Sequence, residues 1–118
     1  MKKVKLHIKL ISNNNLIDEK TTGKIDDNLS ELTYFESSST KVKFNYKKNI
    51  LIRENKDLKL EFNFQKDTIT TGVVNIKELD KILKLKIKTI DIKKEKDSIR
   101  IKYLLEEDEY LYVINMEE

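Results

Sequence analysis

The amino-acid sequence predicts an all-β protein, an antiparallel up-and-down barrel of about eight to ten strands with at most one short helical turn. Apolar and polar residues alternate through most of the chain, which is typical of strands with one face in a core and one in water. Short polar turns separate these alternating runs. The chain has no Ala, the best helix former, while its many Ile, Thr, Tyr and Phe residues favour strands.

Three strands are expected before residue 40. Every second residue from Val4 to Leu10 is apolar, which predicts the first strand. A weaker second strand is expected from Leu16 to Ile25, where Gly23 marks a bulge or a close backbone approach. The third is expected from Leu29 to Ser37. One face of this third strand carries Leu32, Tyr34 and Glu36.

The stretch from Lys41 to Phe64 predicts three more strands joined by tight polar turns. The first and third of them alternate regularly, so we expect each to have one buried and one solvated face. The middle strand, from Ile50 to Arg53, is apolar on both faces until the arginine.

A strand from Thr68 to Val74 follows. The sequence Asn75-Ile76-Lys77-Glu78 has the spacing of a capping box and predicts one or two helical turns near Ile76 to Lys81. Alternation resumes at Leu83, and its phase then slips by one residue. We therefore expect a β-bulge near Lys88-Thr89.

Two strands complete the chain. Alternation from Ile99 to Leu105 predicts the first of them, after a charged turn at Lys93 to Asp97. The last, from Tyr110 to Met116, is apolar on both faces, which disfavours an open edge in water. We therefore expect it to pair with an early strand and close a barrel.

The composition bounds the class of protein. A chain of 118 residues predicts a single domain over residues 1–118. No Cys is present, the lysine-rich start does not resemble a signal peptide, and no apolar run approaches membrane-spanning length, so a cytoplasmic protein is expected. The net charge of +3 comes from 22 Lys and two Arg. With 15 Ile and 10 Asn, these lysines indicate a genome of low GC content.

Five segments, in order along the chain, match the pattern of a known family: Tyr34-Phe35-Glu36, Ile50-Leu51-Ile52-Arg53, Leu60-Glu61-Phe62, Leu83 to Thr89 and Ile101 to Leu104. On these segments the chain resembles the YwiB-like family of small bacterial proteins of unknown function. The resemblance covers most of the chain and implies a calycin, or lipocalin-like, β-barrel. It implies no established activity.

Glu36 and Arg53 are the first candidates for a functional site. If Tyr34 and Leu51 point inward, Glu36 and Arg53 do so too, and a buried arginine needs a carboxylate partner. We therefore expect a Glu36–Arg53 ion pair near one end of the barrel, with a hydroxyl from Tyr34 or Tyr103. A structural plug at the barrel end is the favoured interpretation of this pair. The alternatives are a ligand-binding site formed by these four residues, and exposure to solvent.

The lysines of the predicted strand around Leu85 form a second candidate site. Lys84, Lys86 and Lys88 share one face and could contact a phosphate backbone. No aromatic residue interleaves with them, so a solvated strand face is the alternative interpretation.

No motif for catalysis, metal binding or a cofactor is present. His7, the only histidine, lies among lysines on a face expected to be solvated, and no His/Cys cluster or Gly-rich phosphate loop occurs. We expect no enzyme, no metal and no cofactor. The favoured function is a non-catalytic binding module for a small, partly apolar ligand at the barrel mouth. The alternative is a protein- or RNA-associated module that uses the lysine-rich face.

Overall fold

The computed structural model describes residues 2–13, 15–37 and 39–117, which form ten β-strands. Helices are absent from these ranges, so none of the described residues belongs to a helix that could cross a membrane. The strands are β1 (Lys2–Ser12), β2 (Asn15–Asp26), β3 (Glu31–Glu36), β4 (Thr40–Asn45), β5 (Ile50–Glu54), β6 (Leu58–Asn63), β7 (Ile69–Ile76), β8 (Lys81–Glu95), β9 (Ser98–Leu105) and β10 (Asp108–Glu117).

The strands form a closed antiparallel barrel in which each strand pairs with its neighbours in the chain. Closure comes from β10, which pairs with β1 from Lys5↔Glu117 to Ser12↔Tyr110. The predicted all-β, up-and-down, closed barrel is confirmed, including the pairing of the last strand with an early one. Closure satisfies both sides of β10, whose apolar character on two faces would be costly at an open edge.

The core lies inside the barrel, where alternate residues of every strand meet. Large side chains fill its middle, because the inward positions contain few small residues. The largest fully buried side chains are Tyr34, Tyr112, Phe44, Phe64, Ile8 and Leu32.

A bulge in β8 restores the alternation that the sequence interrupts. The register with β9 shifts between Thr89 and Asp91, so Ile90 is the extra residue. The predicted bulge is confirmed within about a residue of its expected place. Beyond it, β8 continues through the expected charged turn as far as Glu95, and Lys94 returns to the inward side opposite Ile99.

The helical turn expected near Ile76 to Lys81 is wrong. Strand β7 runs to Ile76, and residues 77–80 form a tight turn in which the Asp80 N–H donates to the Lys77 carbonyl at 3.2 Å. Asn75 cannot act as a helix cap because it is a ladder residue opposite Ile82. The capping-box spacing here belongs to a β-hairpin.

Strands β2 and β3 pair over a short distance only. Their ladder runs from Asp26↔Glu31 to Lys24↔Thr33. At Gly23 the backbones approach closely, since a Cβ there would lie 2.9 Å from the Thr33 carbonyl oxygen. The predicted close backbone approach is confirmed. Beyond this point β3 continues without ladder partners on β2. Side-chain hydrogen bonds join the two strands there instead, from the Thr21 hydroxyl to the Phe35 carbonyl at 3.5 Å and from the Ser37 hydroxyl to the Glu19 Oε1 at 3.4 Å.

Candidate functional site

The predicted ligand-binding residues lie toward one end of the barrel. This end, called the Arg53 end, has the connections at residues 55–57, 77–80 and 106–107. The other, called the Lys94 end, has those at 27–30, 46–49 and 96–97. The two ends differ in the hydrogen-bond and ion-pair partners of their inward charged side chains.

Glu36 and Arg53 form the expected ion pair. The Arg53 Nη2 donates to the Glu36 Oε1 at 2.8 Å, and both side chains are largely buried, with 22% and 12% exposure for Arg53 and Glu36. Burial raises the pKa of Glu36, and the nearby Arg53 charge opposes this shift. The Nε of Arg53 is buried without a hydrogen-bond partner. The ion pair therefore uses one nitrogen of the guanidinium, and the Nε has no partner.

Tyr34 does not contribute its hydroxyl to this ion pair. It shares a hydrogen bond with the hydroxyl of Tyr112 across the barrel, and both rings are almost fully buried. Burial raises the pKa of both phenols, so they remain protonated at neutral pH. Tyr34 therefore has a structural role in the core, where its ring is buried and its hydroxyl is bonded to Tyr112.

Tyr103 belongs to an aromatic cluster. Its ring centroid lies 4.8 Å from that of Phe64 and 5.4 Å from that of Tyr110, on which it stacks. The structure therefore brings Glu36 and Arg53 into contact and uses Tyr34 and Tyr103 in neighbouring packing. Ligand binding by these four residues stays a prediction.

A cavity of about 280 Å³ opens at the Lys94 end, away from the four residues that the sequence predicts for a ligand site. Its floor consists of inward apolar side chains: Val4, Ile25, Leu32, Ile99 and Met116. Polar groups of Asp27, Tyr46 and residues 94–97 form its rim. An apolar floor with a few polar groups is the usual composition of a small-molecule site.

Lys94 lies across the mouth of this cavity. Its ammonium donates to the Tyr46 carbonyl, while the Tyr46 hydroxyl donates to the Asp27 Oδ1 at 3.1 Å. Burial lowers the pKa of Lys94. The sequence contained a signal for this position, because Lys94 shares the face of Ile92 after the phase slip.

Lys84, Lys86 and Lys88 lie exposed on the outer face of β8, as predicted. Within the part of the chain that the structure describes, no ion pair involves their ammonium groups. Their cross-strand partners on β7 are Val73, Thr71 and Ile69. The face thus offers charge without an aromatic ring, and nucleic-acid binding there stays a prediction.

His7 forms a hydrogen bond with Asp18 on the outer face of β1 and β2. This bond is the main cause that lowers the pKa of Asp18. Over residues 2–13, 15–37 and 39–117, no three His, Cys, Asp or Glu side chains are arranged to hold a metal ion.

The crystal structure of the ywiB protein from Bacillus subtilis has the same overall arrangement, with a TM-score of 0.64 over 98% of this chain and 90% of that chain. The fold is YwiB-like. The two sequences are 19% identical, so the likeness concerns the fold. No protein-family model matches the chain, and no curated protein matches it.

Two arrangements in this YwiB-like barrel differ in what they can bind. At the Arg53 end, the guanidinium already has a carboxylate partner, and aromatic rings pack beside it. At the Lys94 end, open volume meets a cation whose acceptor is a main-chain carbonyl. The second arrangement leaves room for a ligand.

Proposed function

We propose that the protein is a calycin-type member of the YwiB-like group and acts as a non-catalytic binding module for a small, partly apolar ligand. The cavity at the Lys94 end is the observation that supports this function best. Its volume of about 280 Å³ lies just below the range for drug-sized ligand sites, roughly 300–1,000 Å³, and suits a small ligand. We therefore place the ligand at this end, opposite to the predicted residues Glu36 and Arg53.

The lining of the cavity defines the chemistry of the ligand. Val4, Ile99 and Met116 would contact an apolar body. The ammonium of Lys94 and the hydroxyl of Tyr46 would face a polar head at the rim. A small molecule with one apolar part and one polar or anionic group fits this division.

The test uses 1-octanol and octanoate as probes, with thermal unfolding and methyl NMR as measurements. We expect either probe to raise the melting temperature, because a ligand that binds the folded state stabilises it. We also expect the methyl resonances of Val4, Ile99 and Met116 to shift. Unchanged melting and unchanged methyl resonances with both probes would contradict the proposal.

A matched pair of variants locates the site. Met116→Phe should fill the cavity and weaken binding of both probes. Leu10→Phe makes a similar change among the partly buried residues at the opposite end and should leave binding intact. Loss of binding in Leu10→Phe alone would contradict this location and indicate a ligand site at the Arg53 end.

A further inference from the structure

One aromatic side chain of the barrel wall points into water. Phe35 lies on the outer face of β3 and is 50% exposed, while the neighbouring residues Tyr34 and Glu36 point inward. A phenyl ring in this position adds nothing to the core and exposes apolar surface. The ring is therefore available to a partner.

Lysines flank this ring on both adjacent strands. Lys41 of β4 is the direct cross-strand partner of Phe35, and Lys24 of β2 lies opposite Thr33. Neither lysine takes part in an ion pair among the residues described. Neighbouring strands lie about 4.8 Å apart, so the two backbones that carry these lysines bracket the ring at a span of roughly 10 Å.

The outer face of β2, β3 and β4 provides room beside the ring. A groove of about 420 Å³ follows this wall and includes Phe35, Leu29 and the two lysines. It runs over the outer side chains of the three strands, largely along the paired stretch from Asp26↔Glu31 to Lys24↔Thr33. A planar group could therefore lie against the phenyl face without displacing the barrel wall.

Two carboxylates also line this groove, and both are already engaged. The Asp26 Oδ1 accepts hydrogen bonds from the main-chain N–H groups of Asn28 and Leu29 at 3.0 and 3.3 Å. Glu31 lies 3.8 Å from the ammonium of Lys43. The ammonium groups of Lys24 and Lys41, on either side of the ring, form no ion pair among the described residues, and Glu54, the cross-strand neighbour of Lys41, is paired with Lys77 at 2.7 Å.

We propose that the outer face of β2, β3 and β4 binds single-stranded nucleic acid, with one base stacked on Phe35 and phosphates on Lys24 and Lys41. Stacking on an exposed aromatic ring tolerates any base, and flanking cations follow the backbone, which is how sequence-tolerant single-strand sites are built. This site is separate from the proposed ligand cavity. It also differs from the lysine face of β8, which has no ring.

An acidic peptide is the alternative partner for these lysines, and the exposed phenyl ring of Phe35 argues against it. Acidic side chains would use Lys24 and Lys41 and would gain little from a planar aromatic surface. A nucleobase uses both features at once. Binding that depends on the ring as well as on the charges therefore distinguishes the two partners.

The test measures fluorescence anisotropy of fluorescein-labelled octamers of uridylate and of thymidylate at low salt. We expect Phe35→Ala to weaken binding about tenfold and Phe35→Tyr to retain it, since a phenol also stacks. The double variant Lys24→Glu/Lys41→Glu should abolish binding and leave no salt-dependent component. These results with either octamer would support the proposal. The octamer with the higher affinity would show whether the site prefers RNA or DNA.

Control variants make the result specific. Lys84→Glu/Lys86→Glu makes the same change of charge on β8, and Ile69→Ala removes another exposed apolar side chain; both should bind like the unchanged protein. Absence of binding to both octamers would overturn the proposal. So would loss of binding in the β8 double variant alone, or charge-dependent binding that Phe35→Ala leaves unchanged.

Discussion

Arg53 is a guanidinium that points into a barrel lined by aliphatic and aromatic side chains. A charge in such surroundings persists only with a partner, and Glu36 supplies it at 2.8 Å. Replacing a buried pair by apolar residues is often neutral, whereas removing one partner leaves an uncompensated charge. The Glu36–Arg53 pair is therefore better understood as a constraint on this end than as a source of stability.

A double-mutant cycle tests this interpretation. Glu36→Leu should cost about 2–4 kcal/mol of unfolding free energy, because it leaves Arg53 buried and unpaired. Arg53→Met in the same chain should recover much of that loss. Urea unfolding of the four proteins measures the coupling. Lys77→Met, which breaks the exposed pair with Glu54, should cost no more than about 1 kcal/mol. Additive losses at Glu36 and Arg53 would contradict the coupling.

The pH dependence of stability should depend on Glu36. Burial raises its pKa above the ordinary value of 4.5, so the folded state favours the protonated form. Its contribution is therefore fully present below the unfolded pKa and declines as the pH rises through the folded pKa. We expect the unfolding free energy of the unchanged protein, relative to Glu36→Gln, to fall as the pH rises from about 4 through the raised pKa of folded Glu36.

Urea unfolding at several pH values measures this difference. Glu61→Gln, on the exposed outer face of β6, corrects for the loss of one negative charge. A difference that grows with pH would show that the Arg53 charge outweighs burial.

At the scale of the strands, two glycines allow close contacts, and they differ in what a side chain would meet. A Cβ at Gly23 would lie 2.9 Å from the Thr33 carbonyl oxygen, which is fixed in the backbone. A Cβ at Gly72 would meet the side-chain atoms of Ile87 and Phe62 at 2.7 and 2.8 Å. Side-chain ends can rotate, while a ladder carbonyl cannot.

We therefore expect Gly23→Ala to destabilise the protein more than Gly72→Ala. Overpacking of this kind costs about 1–3 kcal/mol, and Gly23 should lie at the upper end because the strands themselves must separate. The shift in urea midpoint measures both. Thr22→Ala, at the exposed neighbouring position, should change the midpoint little. An equal or larger effect at Gly72 would show that the wall can open at Gly23.

Most strands could be predicted because their inward residues are large and apolar. Strand β2 gave a weak signal, since its inward positions include Gly23, Thr21 and Glu19, and no apolar alternation marks them. The hairpin after Ile76 was predicted as a helical turn because capping-box spacing and turn residues overlap. Local sequence does not show whether Asn75 already has a partner in a ladder.

The site was predicted in part for the same reason. Parity along two strands correctly placed Glu36 and Arg53 inside, and the cost of burying charge then required them to meet. The cavity depends on how far inward residues of six elements reach at one end, which alternation does not give. The stop in the β2–β3 ladder beside Phe35 is likewise a property of the assembled wall.

At the scale of the whole molecule, the strands close into a ring in which each strand pairs with two others. Ile114 of β10 is fully buried and lies opposite Ile8 of β1 and Ile99 of β9. Weakening this position removes contacts from both neighbours at once. Loss of the β10 packing should therefore destabilise the whole barrel and not β10 alone.

Ile114→Ala should cost about 2–5 kcal/mol, as large-to-small changes in a packed core do. We expect the barrel still to unfold in one step, so that tyrosine fluorescence and far-ultraviolet circular dichroism report the same midpoint. Ile69→Ala, at an exposed position, should stay within about 0.5 kcal/mol. Separate midpoints for the two probes would show that the β1–β10 pair opens by itself.

The order of the strands also has a kinetic consequence. Every pair except β1–β10 joins strands that are consecutive in the chain. Nine hairpins can therefore form from local contacts, at a small cost in loop-closure entropy. The entropic cost of bringing distant residues together falls on one step, the arrival of β10 at β1. Because rates fall with the sequence separation of contacts, this protein should fold faster than β-proteins of its size whose sheets need several long crossings.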